Sequence, residues 1–253
     1  MNLQDKVVAV TGAGKGLGRA IAVRLAKQGA CVAVVDIDDS HSATTVQQCL
    51  DVGGRAKSYR ANVANESEVI QLFTDIVADY GTLHGVVNNA GIARDALLVK
   101  ARNGKVEKKM TLQQWQSVID VNLTGVFLCG REAAAAMIEA GVEEGVIVNI
   151  SSVARSGSYG LSNYSATKAG VVTLAEVWAK ELSRYNIRTG SVAPGIIDTE
   201  LLAATQPEAR ERWISGIPLK RLGDVDHIAQ SVQFIFENSY FTGRCIETDG
   251  GLR

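Results

Sequence analysis

Short apolar runs alternate with amphipathic stretches along the whole chain, and this alternation predicts the fold. The pattern indicates strands at Val7–Thr11, Cys31–Val35, Ser58–Asn62, Gly85–Asn88, Val146–Ile150, Arg188–Ala193 and Cys245–Thr248, and helices at about Gly18–Gln28, His41–Val52, Glu66–Tyr80, Leu112–Ala140 and Asn163–Tyr185. Such alternation is typical of one parallel sheet that helices cover on both faces. No Pro/Ser-rich linker or internal repeat interrupts it. We therefore predict an α/β fold with a doubly wound, seven-stranded parallel sheet in a single domain over residues 1–253.

Composition and charge exclude some classes of function but do not identify the function. The formal net charge of the 253-residue chain is −1, which gives no general attraction to nucleic acid or to an anionic membrane. The apolar runs are too short to span a bilayer, and residues 1–6 lack the features of a signal peptide. The cysteines and histidines are scattered without metal-ligand spacing. We therefore expect reduced thiols, no metal site and a cytoplasmic location.

A glycine-rich turn lies between the first strand and the first helix. Thr11–Gly18 places glycines at Gly12, Gly14, Gly16 and Gly18. Glycines let the backbone approach a pyrophosphate, and a helix start offers N–H donors and a positive dipole end. The spacing is neither the strict GxGxxG fingerprint nor a Walker A loop. The turn predicts a dinucleotide site, and a flexible turn without a ligand is the alternative.

Asp36 bears on which dinucleotide binds. It ends the second strand, where a carboxylate can accept hydrogen bonds from the adenosine ribose hydroxyls. Because a carboxylate there repels a 2′-phosphate, NAD(H) is favoured over NADP(H). Lys15, inside the glycine turn, could offset that repulsion, so NADP(H) stays possible. The alternative role for Asp36 is that of a turn or helix-capping acid.

Tyr164 and Lys168 lie four residues apart and share one face of a predicted helix. A free phenol has a pKa of about 10, which makes it a poor proton donor or acceptor near neutrality. A neighbouring ammonium group stabilises the phenolate, so we expect a lowered pKa for Tyr164. Such a side chain can exchange a proton with an alcohol or a carbonyl oxygen. The spacing alone also occurs by chance on helix surfaces.

In these and other segments the chain resembles the short-chain dehydrogenase/reductase family over nearly its whole length. The matching motifs are Thr11–Gly18 (TGxxxGxG), Asn88–Gly91 (NNAG), Asn122, Ile150–Ser152, Tyr164 with Lys168 (YxxxK), Pro194–Gly195 and Asp249–Gly251. The resemblance implies a Rossmann domain and an NAD(P)(H)-dependent oxidoreductase. Within the family the chain is most similar to the 3-oxoacyl-[acyl-carrier-protein] reductases. It departs from that group at Asp36 and in a longer segment over residues 99–110.

The resemblance implies catalytic roles for Asn122, Ser152, Tyr164 and Lys168. Tyr164 donates a proton to the carbonyl oxygen or takes one from the hydroxyl. Lys168 lowers the tyrosine pKa and binds the nicotinamide ribose, and Asn122 supports Lys168 through a water. Ser152 holds the substrate oxygen. Counting thirteen residues back from the tyrosine gives Ser151 instead, and we choose Ser152 because strand alternation decides which side chain faces the site.

Further cofactor contacts follow from the resemblance. Besides Tyr164 and Lys168, the implied cofactor-binding residues are Gly12, Lys15, Gly16, Leu17, Gly18, Asp36, Asn62, Val63, Asn89, Ala90, Gly91, Pro194, Gly195, Ile197 and Thr199. Asn62 and Val63 should flank the adenine. Pro194 to Thr199 should hold the nicotinamide.

Two segments are expected to close over the substrate. Residues 94–110 hold six basic residues against two acidic ones, which gives a charge of +4. This segment either docks an acidic carrier protein or a coenzyme A phosphate, or is a solvated loop. Residues 198–216, with Leu201, Leu202, Trp213 and Ile214, form either an amphipathic lid or an ordinary packed helix pair.

Three functions remain open at this point. The first is a reductase of a 3-oxoacyl thioester, with an acyl carrier protein as a possible partner. The second, which Asp36 favours, is an NAD-dependent dehydrogenase of a small alcohol, polyol or hydroxy acid. The third is a non-catalytic dinucleotide-binding protein. Helices with apolar residues on more than one face, and the resemblance, together predict a homotetramer.

Overall fold

The computed structural model describes residues 1–199 and 207–252. Its strands are β1 (Val7–Thr11), β2 (Cys31–Asp36), β3 (Arg55–Arg60), β4 (Gly85–Asn88), β5 (Val99–Arg102), β6 (Lys105–Lys109), β7 (Gly145–Ile150), β8 (Ile187–Pro194) and β9 (Arg244–Thr248). Its helices are α1 (Gly16–Lys27), α2 (Asp39–Asp51), α3 (Glu66–Tyr80), α4 (Leu112–Ile119), α5 (Gly125–Glu139), α6 (Ser162–Leu182), α7 (Pro207–Gly216) and α8 (Val225–Glu237).

Seven strands form one parallel sheet in the order β3-β2-β1-β4-β7-β8-β9. The chain winds outward from β1 in one direction and then from β4 in the other, so the predicted doubly wound α/β fold is confirmed. The strand order reverses between β1 and β4, and ligands bind at the carboxyl ends of the strands at such a switch point. The glycine turn and the NNAG segment both begin there.

The two faces of the sheet bury separate apolar clusters, because successive side chains of a strand point to opposite faces. Val8 and Val10 face a cluster with α1 and α8, whereas Val7 and Ala9 face one with α3 and α5. The central strands are buried on both faces, which explains their continuous apolar runs. Within the described residues, Leu112–Glu139 is long and apolar enough to cross a membrane, but half of its apolar window is buried, as in a core helix.

Three elements differ from the predictions. The strand β3 begins at Arg55, three residues earlier than predicted, because an edge strand that buries only Tyr59 leaves little apolar signal. The long helix predicted over 112–140 is divided by a π-helical segment at Asp120–Thr124. The helix α8, which packs on α1, was not predicted.

The segment expected as a loop over 94–110 forms an antiparallel hairpin of β5 and β6. Its turn is Asn103-Gly104, with φ of 51° and 75°. Asn-Gly between alternating residues is a strong hairpin signal, because both turn positions need positive φ. Of the predicted lid, Leu201 and Leu202 lie outside the described residues, while Trp213 and Ile214 lie on α7.

Candidate active site

The helix α6 carries Tyr164 and Lys168 past the carboxyl end of β7. Lys168 is buried, and its Nζ donates a hydrogen bond to the Ile150 carbonyl at 2.7 Å. The same Nζ lies 5.5 Å from the centre of the Tyr164 ring. Burial lowers the pKa of Lys168 to about 8. The end of β7 therefore fixes a cation beside the phenol.

The two serines at the end of β7 have different partners. The Ser152 side chain interacts with the Tyr164 phenol and lowers its pKa, and its Oγ accepts from the Ala154 N–H at 3.1 Å. The Ser151 hydroxyl is buried and donates to the Lys168 carbonyl at 2.7 Å. Neighbouring strand residues point in opposite directions, so only one serine can face the phenol. Ser152 is thus the serine beside Tyr164, and Ser151 anchors α6 to the sheet.

The Tyr164 pKa differs from the expectation drawn from the Tyr–Lys spacing. Burial raises this pKa above the usual value for a phenol, and the hydrogen bond with Ser152 lowers it in part. The negative charge of Asp95 raises it further. The expected net lowering by Lys168 is wrong for this structure, because the ammonium group is itself desolvated and donates to Ile150 rather than to the phenol.

Asn122 lies in the π-helical segment between α4 and α5 and is fully buried. Its Nδ2 donates to the Ile92 carbonyl and its Oδ1 accepts from the Ile92 N–H, both at 2.8 Å. A Cβ atom added to Gly91 would lie 3.4 Å from Asn122 Oδ1 and 3.7 Å from Lys168 Nζ. Gly91 therefore occupies the gap between these two side chains. Single π-helical turns occur often at functional sites.

The glycine turn and the NNAG segment form one connected surface at the switch point. The Thr11 hydroxyl accepts from the backbone N–H groups of Asn89 and Ala90 at 3.0 and 3.1 Å. A Cβ at Gly12 would lie 2.8 Å from the Ala90 Cα, and one at Gly18 would lie 2.2 Å from the Gly12 carbonyl oxygen. Only glycine fits at these two positions.

The helix start beyond this surface suits a pyrophosphate. No side chain caps α1, so its first N–H groups remain available to a ligand. No atom lies within 4 Å of the Cβ position of Gly16, whose φ is +54°. The exposed Lys15 precedes that glycine, and Leu17 packs on the core below it. An open, uncapped helix N-terminus with a nearby cation fits the phosphates of a nicotinamide dinucleotide.

Asp36 stands beside this turn. Its carboxylate accepts from the Gly14 N–H at 2.8 Å and from the Asp38 N–H at 3.2 Å. Asp38 caps α2 by accepting from Ser40 and His41. Asp38, and not Asp36, therefore caps α2. Asp36 is held at the end of β2 next to the glycine turn.

The remaining predicted cofactor contacts are less direct. The Asn62 Oδ1 accepts from the Ala64 N–H, and the Val63 side chain is buried against Gly125. The Val63 carbonyl oxygen lies against Gly125 together with the side chain, so Val63 packs on the start of α5.

The segment after β8 is tied to the far end of the sheet. The Gly195 N–H donates to the Thr248 carbonyl, and Ile197 forms a bridge with Gly223. Pro194 ends β8, while Thr199 is the last described residue before α7. Like the tyrosine, this segment lies beyond the carboxyl ends of the strands. The strand that leads into it, β8, is two strands from β4 in the sheet.

Sequence reasoning missed two residues that organise the site. Asn163 is buried, and its Nδ2 donates to the carbonyls of Arg94 and Gln114 at 3.1 and 3.0 Å. Asp95 acts on the phenol through its charge. Asn163 adjoins the tyrosine in the sequence, which is a usable signal. The position of Asp95 depends on a chain path that the sequence does not reveal.

Comparison with known proteins places the chain among dehydrogenases. Residues 6–210 match the family model described as short chain dehydrogenase. The chain is 39% identical to the 3-oxoacyl-[acyl-carrier-protein] reductase FabG of Thermotoga maritima, over 100% of this chain and 99% of that one. It is 36% identical to the (3R)-3-hydroxyacyl-CoA dehydrogenase of Canis lupus familiaris, over 100% and 98%.

Solved structures agree with these relatives. A candidate gluconate dehydrogenase from Agrobacterium tumefaciens superposes with a TM-score of 0.90 at 33% identity, covering 99% of this chain and 97% of that one. A short-chain type dehydrogenase/reductase from Mycobacterium ulcerans gives a TM-score of 0.88 at 30% identity, covering 100% and 91%.

Proposed function

The chain belongs to the short-chain dehydrogenase family and is an NAD(P)-dependent oxidoreductase that acts on CH–OH groups, and on that premise we propose that it reduces a 3-oxoacyl thioester to the secondary alcohol. The observation that carries the proposal is the buried Lys168, whose Nζ donates to the Ile150 carbonyl and lies 5.5 Å from the centre of the Tyr164 ring, with Ser152 acting on the same phenol. The thioester substrate is supported by relatives that are named as reductases of carrier-linked 3-oxoacyl groups.

In the proposed mechanism, the substrate carbonyl oxygen accepts hydrogen bonds from Ser152 and Tyr164. A bound nicotinamide dinucleotide supplies the hydride that the carbonyl carbon takes. Tyr164 gives its proton to the oxygen as negative charge develops there, and Ser152 stabilises that charge. The raised pKa keeps Tyr164 protonated and ready to donate at neutral pH. Asn122 fixes the Ile92 backbone next to Lys168, whose Nζ lies 5.5 Å from the centre of the Tyr164 ring.

The test is turnover of acetoacetyl-N-acetylcysteamine with NADH and NADPH side by side. We expect reduction to 3-hydroxybutyryl thioester and a loss of at least about 100-fold in kcat for Tyr164→Phe, which removes the proton donor. Tyr159→Phe, which alters an exposed tyrosine in the neighbouring loop, is the matched control and should retain activity. No turnover of any 3-oxoacyl thioester by the wild type would refute the proposed substrate, and retained turnover in Tyr164→Phe would refute its role.

We further propose NAD(H) as the preferred coenzyme. Asp36 is held beside Gly14, and Asp38 and Asp39 follow within three residues, so this edge carries three carboxylates. Arg60 approaches Asp39 at 3.9 Å and is the nearest described cation to that acid. A 2′-phosphate would meet a net negative edge, which disfavours NADP(H).

A second candidate function rests on the same carboxylate. An NAD-linked dehydrogenase of a small polyol or hydroxy acid agrees with Asp36 and with the structural similarity to a candidate gluconate dehydrogenase. Oxidation of gluconate with NAD, at a kcat/KM above that for the acetoacetyl thioester, would favour it.

The assembly and location that we propose are a homotetramer in the cytoplasm. Support for the tetramer comes from exposed apolar side chains on α4, α5 and α6, namely Trp115, Phe127, Ile138 and Val177. A cytoplasmic location agrees with the buried, reduced thiols of Cys31, Cys49 and Cys129.

A further inference from the structure

The hairpin of β5 and β6 carries four of its five cations on one face. Cross-strand pairs place Lys100 with Lys108 and Arg102 with Lys105 on one face. The alternate positions, Val99, Ala101 and Val106, together with Lys109, lie on the opposite face. All nine strand residues are exposed. Lysines on exposed strands prevent pairing with other chains, but that role does not by itself place four cations on one face.

These four cations are poorly neutralised within the chain. Like charges directly opposite each other on two strands are destabilising. Lys100 contacts Glu107 at 3.2 Å, but in the described part of the chain no carboxylate pairs with Arg102, Lys105 or Lys108. The hairpin therefore keeps a concentrated positive charge that an external anionic surface can neutralise. This face is called the basic face below.

The base of the hairpin is fixed next to the proposed proton donor. The Ala96 N–H donates to the Gly160 carbonyl at 2.9 Å, and Ala96 forms a bridge with Leu161. Asn163, which immediately precedes Tyr164, holds Arg94 on one side of the hairpin and Gln114 on the other. The base of the hairpin is therefore joined directly to the start of the helix that carries Tyr164.

We propose that the basic face docks an acidic surface of the carrier protein that bears the thioester; this inference rests on the proposed function. The face is fully exposed, and its cations are separate side chains on two strands, an arrangement that suits an extended anionic surface better than one small phosphate. Charge complementarity of this kind raises the rate of encounter and orients the partner. A carrier docked here delivers its prosthetic arm toward Tyr164.

The test compares two adjacent lysines on opposite faces. Lys108→Glu changes the basic face, whereas Lys109→Glu makes the same change of charge on the other face of the same hairpin. The substrates are acetoacetyl groups on a purified bacterial acyl carrier protein, on coenzyme A and on N-acetylcysteamine. We expect KM for the carrier-linked substrate to rise about tenfold in Lys105→Glu/Lys108→Glu and severalfold in Lys108→Glu, with kcat/KM for N-acetylcysteamine unchanged. Lys109→Glu should change KM less than twofold.

Several outcomes would overturn the docking proposal. Equal losses on coenzyme A and on the carrier would assign the basic face to phosphate groups. Equal losses of activity on the carrier-linked substrate in Lys108→Glu and Lys109→Glu would show that the effect does not depend on the basic face. A change of oligomeric state in the double variant would assign it to a second copy of this chain. If no thioester is turned over, the proposed function fails. Docking is then judged from fluorescence anisotropy of labelled holo-carrier protein, where wild-type binding that Lys108→Glu weakens supports docking and its absence refutes it.

Discussion

The Tyr164 hydroxyl experiences opposing influences whose balance sets its chemistry. Burial and the Asp95 charge disfavour the phenolate, while the hydrogen bond with Ser152 favours it. The net raised pKa suits a proton donor in ketone reduction. In the reverse reaction the phenolate is required, so alcohol oxidation should become faster as the pH rises through the alkaline range.

Two substitutions should move this pH dependence in opposite directions. Ser152→Ala removes a hydrogen bond that lowers the Tyr164 pKa, so the alkaline limb of kcat/KM for oxidation should shift to higher pH. Asp95→Asn removes a charge that raises this pKa, so the limb should shift to lower pH. The measurement is a pH profile of 3-hydroxybutyryl thioester oxidation.

The dependence of the shift on ionic strength and the change in kcat distinguish the effect of the Asp95 charge from that of the Ser152 hydroxyl. Asp95 is exposed, so the shift in Asp95→Asn should shrink as salt increases. Ser152→Ala should also lose about 100-fold or more in kcat, because it removes a donor to the developing oxyanion. Shifts of the same sign in both variants would contradict the assignment.

Asp36 provides the coenzyme prediction. Asp36→Ser removes the carboxylate beside Gly14, so the ratio of kcat/KM for NADPH to that for NADH should rise at least about tenfold, or ~1.4 kcal/mol. Asp39→Ser removes a neighbouring acid that does not bond the glycine turn, and it should change the ratio much less. A wild type that already prefers NADPH would contradict the proposed preference.

The sequence predicts much at the level of single residues, because catalytic chemistry restricts residue types. The Ser152 assignment depended on strand alternation, and the structure has that serine next to the phenol. The pKa of Tyr164 could not be predicted, since it depends on burial and on Asp95, which tertiary structure brings near. The cofactor and catalytic roles themselves remain proposals.

At the scale of elements, prediction succeeded where apolar periodicity is strong. The bounds of β1, β4 and α3 match the prediction to the residue. The π-helical segment could not be predicted from apolar periodicity. It is stabilised by two hydrogen bonds between the Asn122 side chain and the backbone of Ile92, a residue far away in the sequence. The Asn-Gly signal of the hairpin was present in the sequence and was not used.

The anchoring of the hairpin and of α4 on α6 can be tested at Asn163. Asn163→Ala removes a buried amide and leaves two partly buried carbonyls without their shared donor, which should lower the free energy of unfolding by about 2 kcal/mol. The melting temperature should fall by about 4–8 °C. Gln113→Ala, an exposed amide on α4, should have little effect.

Catalysis supplies a second measure of the same anchor. Because Asn163 adjoins Tyr164, Asn163→Ala should also reduce kcat/KM at temperatures where the protein is folded. An unchanged melting temperature would mean that the two hydrogen bonds do not hold the hairpin base.

For the whole molecule, we propose one domain, since all seven parallel strands form one continuous sheet and its apolar clusters extend from residue 1 to residue 246. The order of the strands could be expected only from the family resemblance. Periodicity identifies strands but does not say which strands pair. The resemblance is confirmed by the match over residues 6–210.

The proposed tetramer requires that exposed apolar surface of the molecule be buried between subunits. Phe127 on α5 is 43% exposed and Ile70 on α3 is 44% exposed, so the two differ in position rather than in accessibility. If α5 is buried between subunits, Phe127→Glu places a charge in an apolar interface and should dissociate the tetramer to smaller species. Ile70→Glu should leave it intact. Sedimentation velocity measures both. Equal behaviour of the two variants, or a monomeric wild type, would contradict an interface on α5 and leave its exposed apolar residues without a partner.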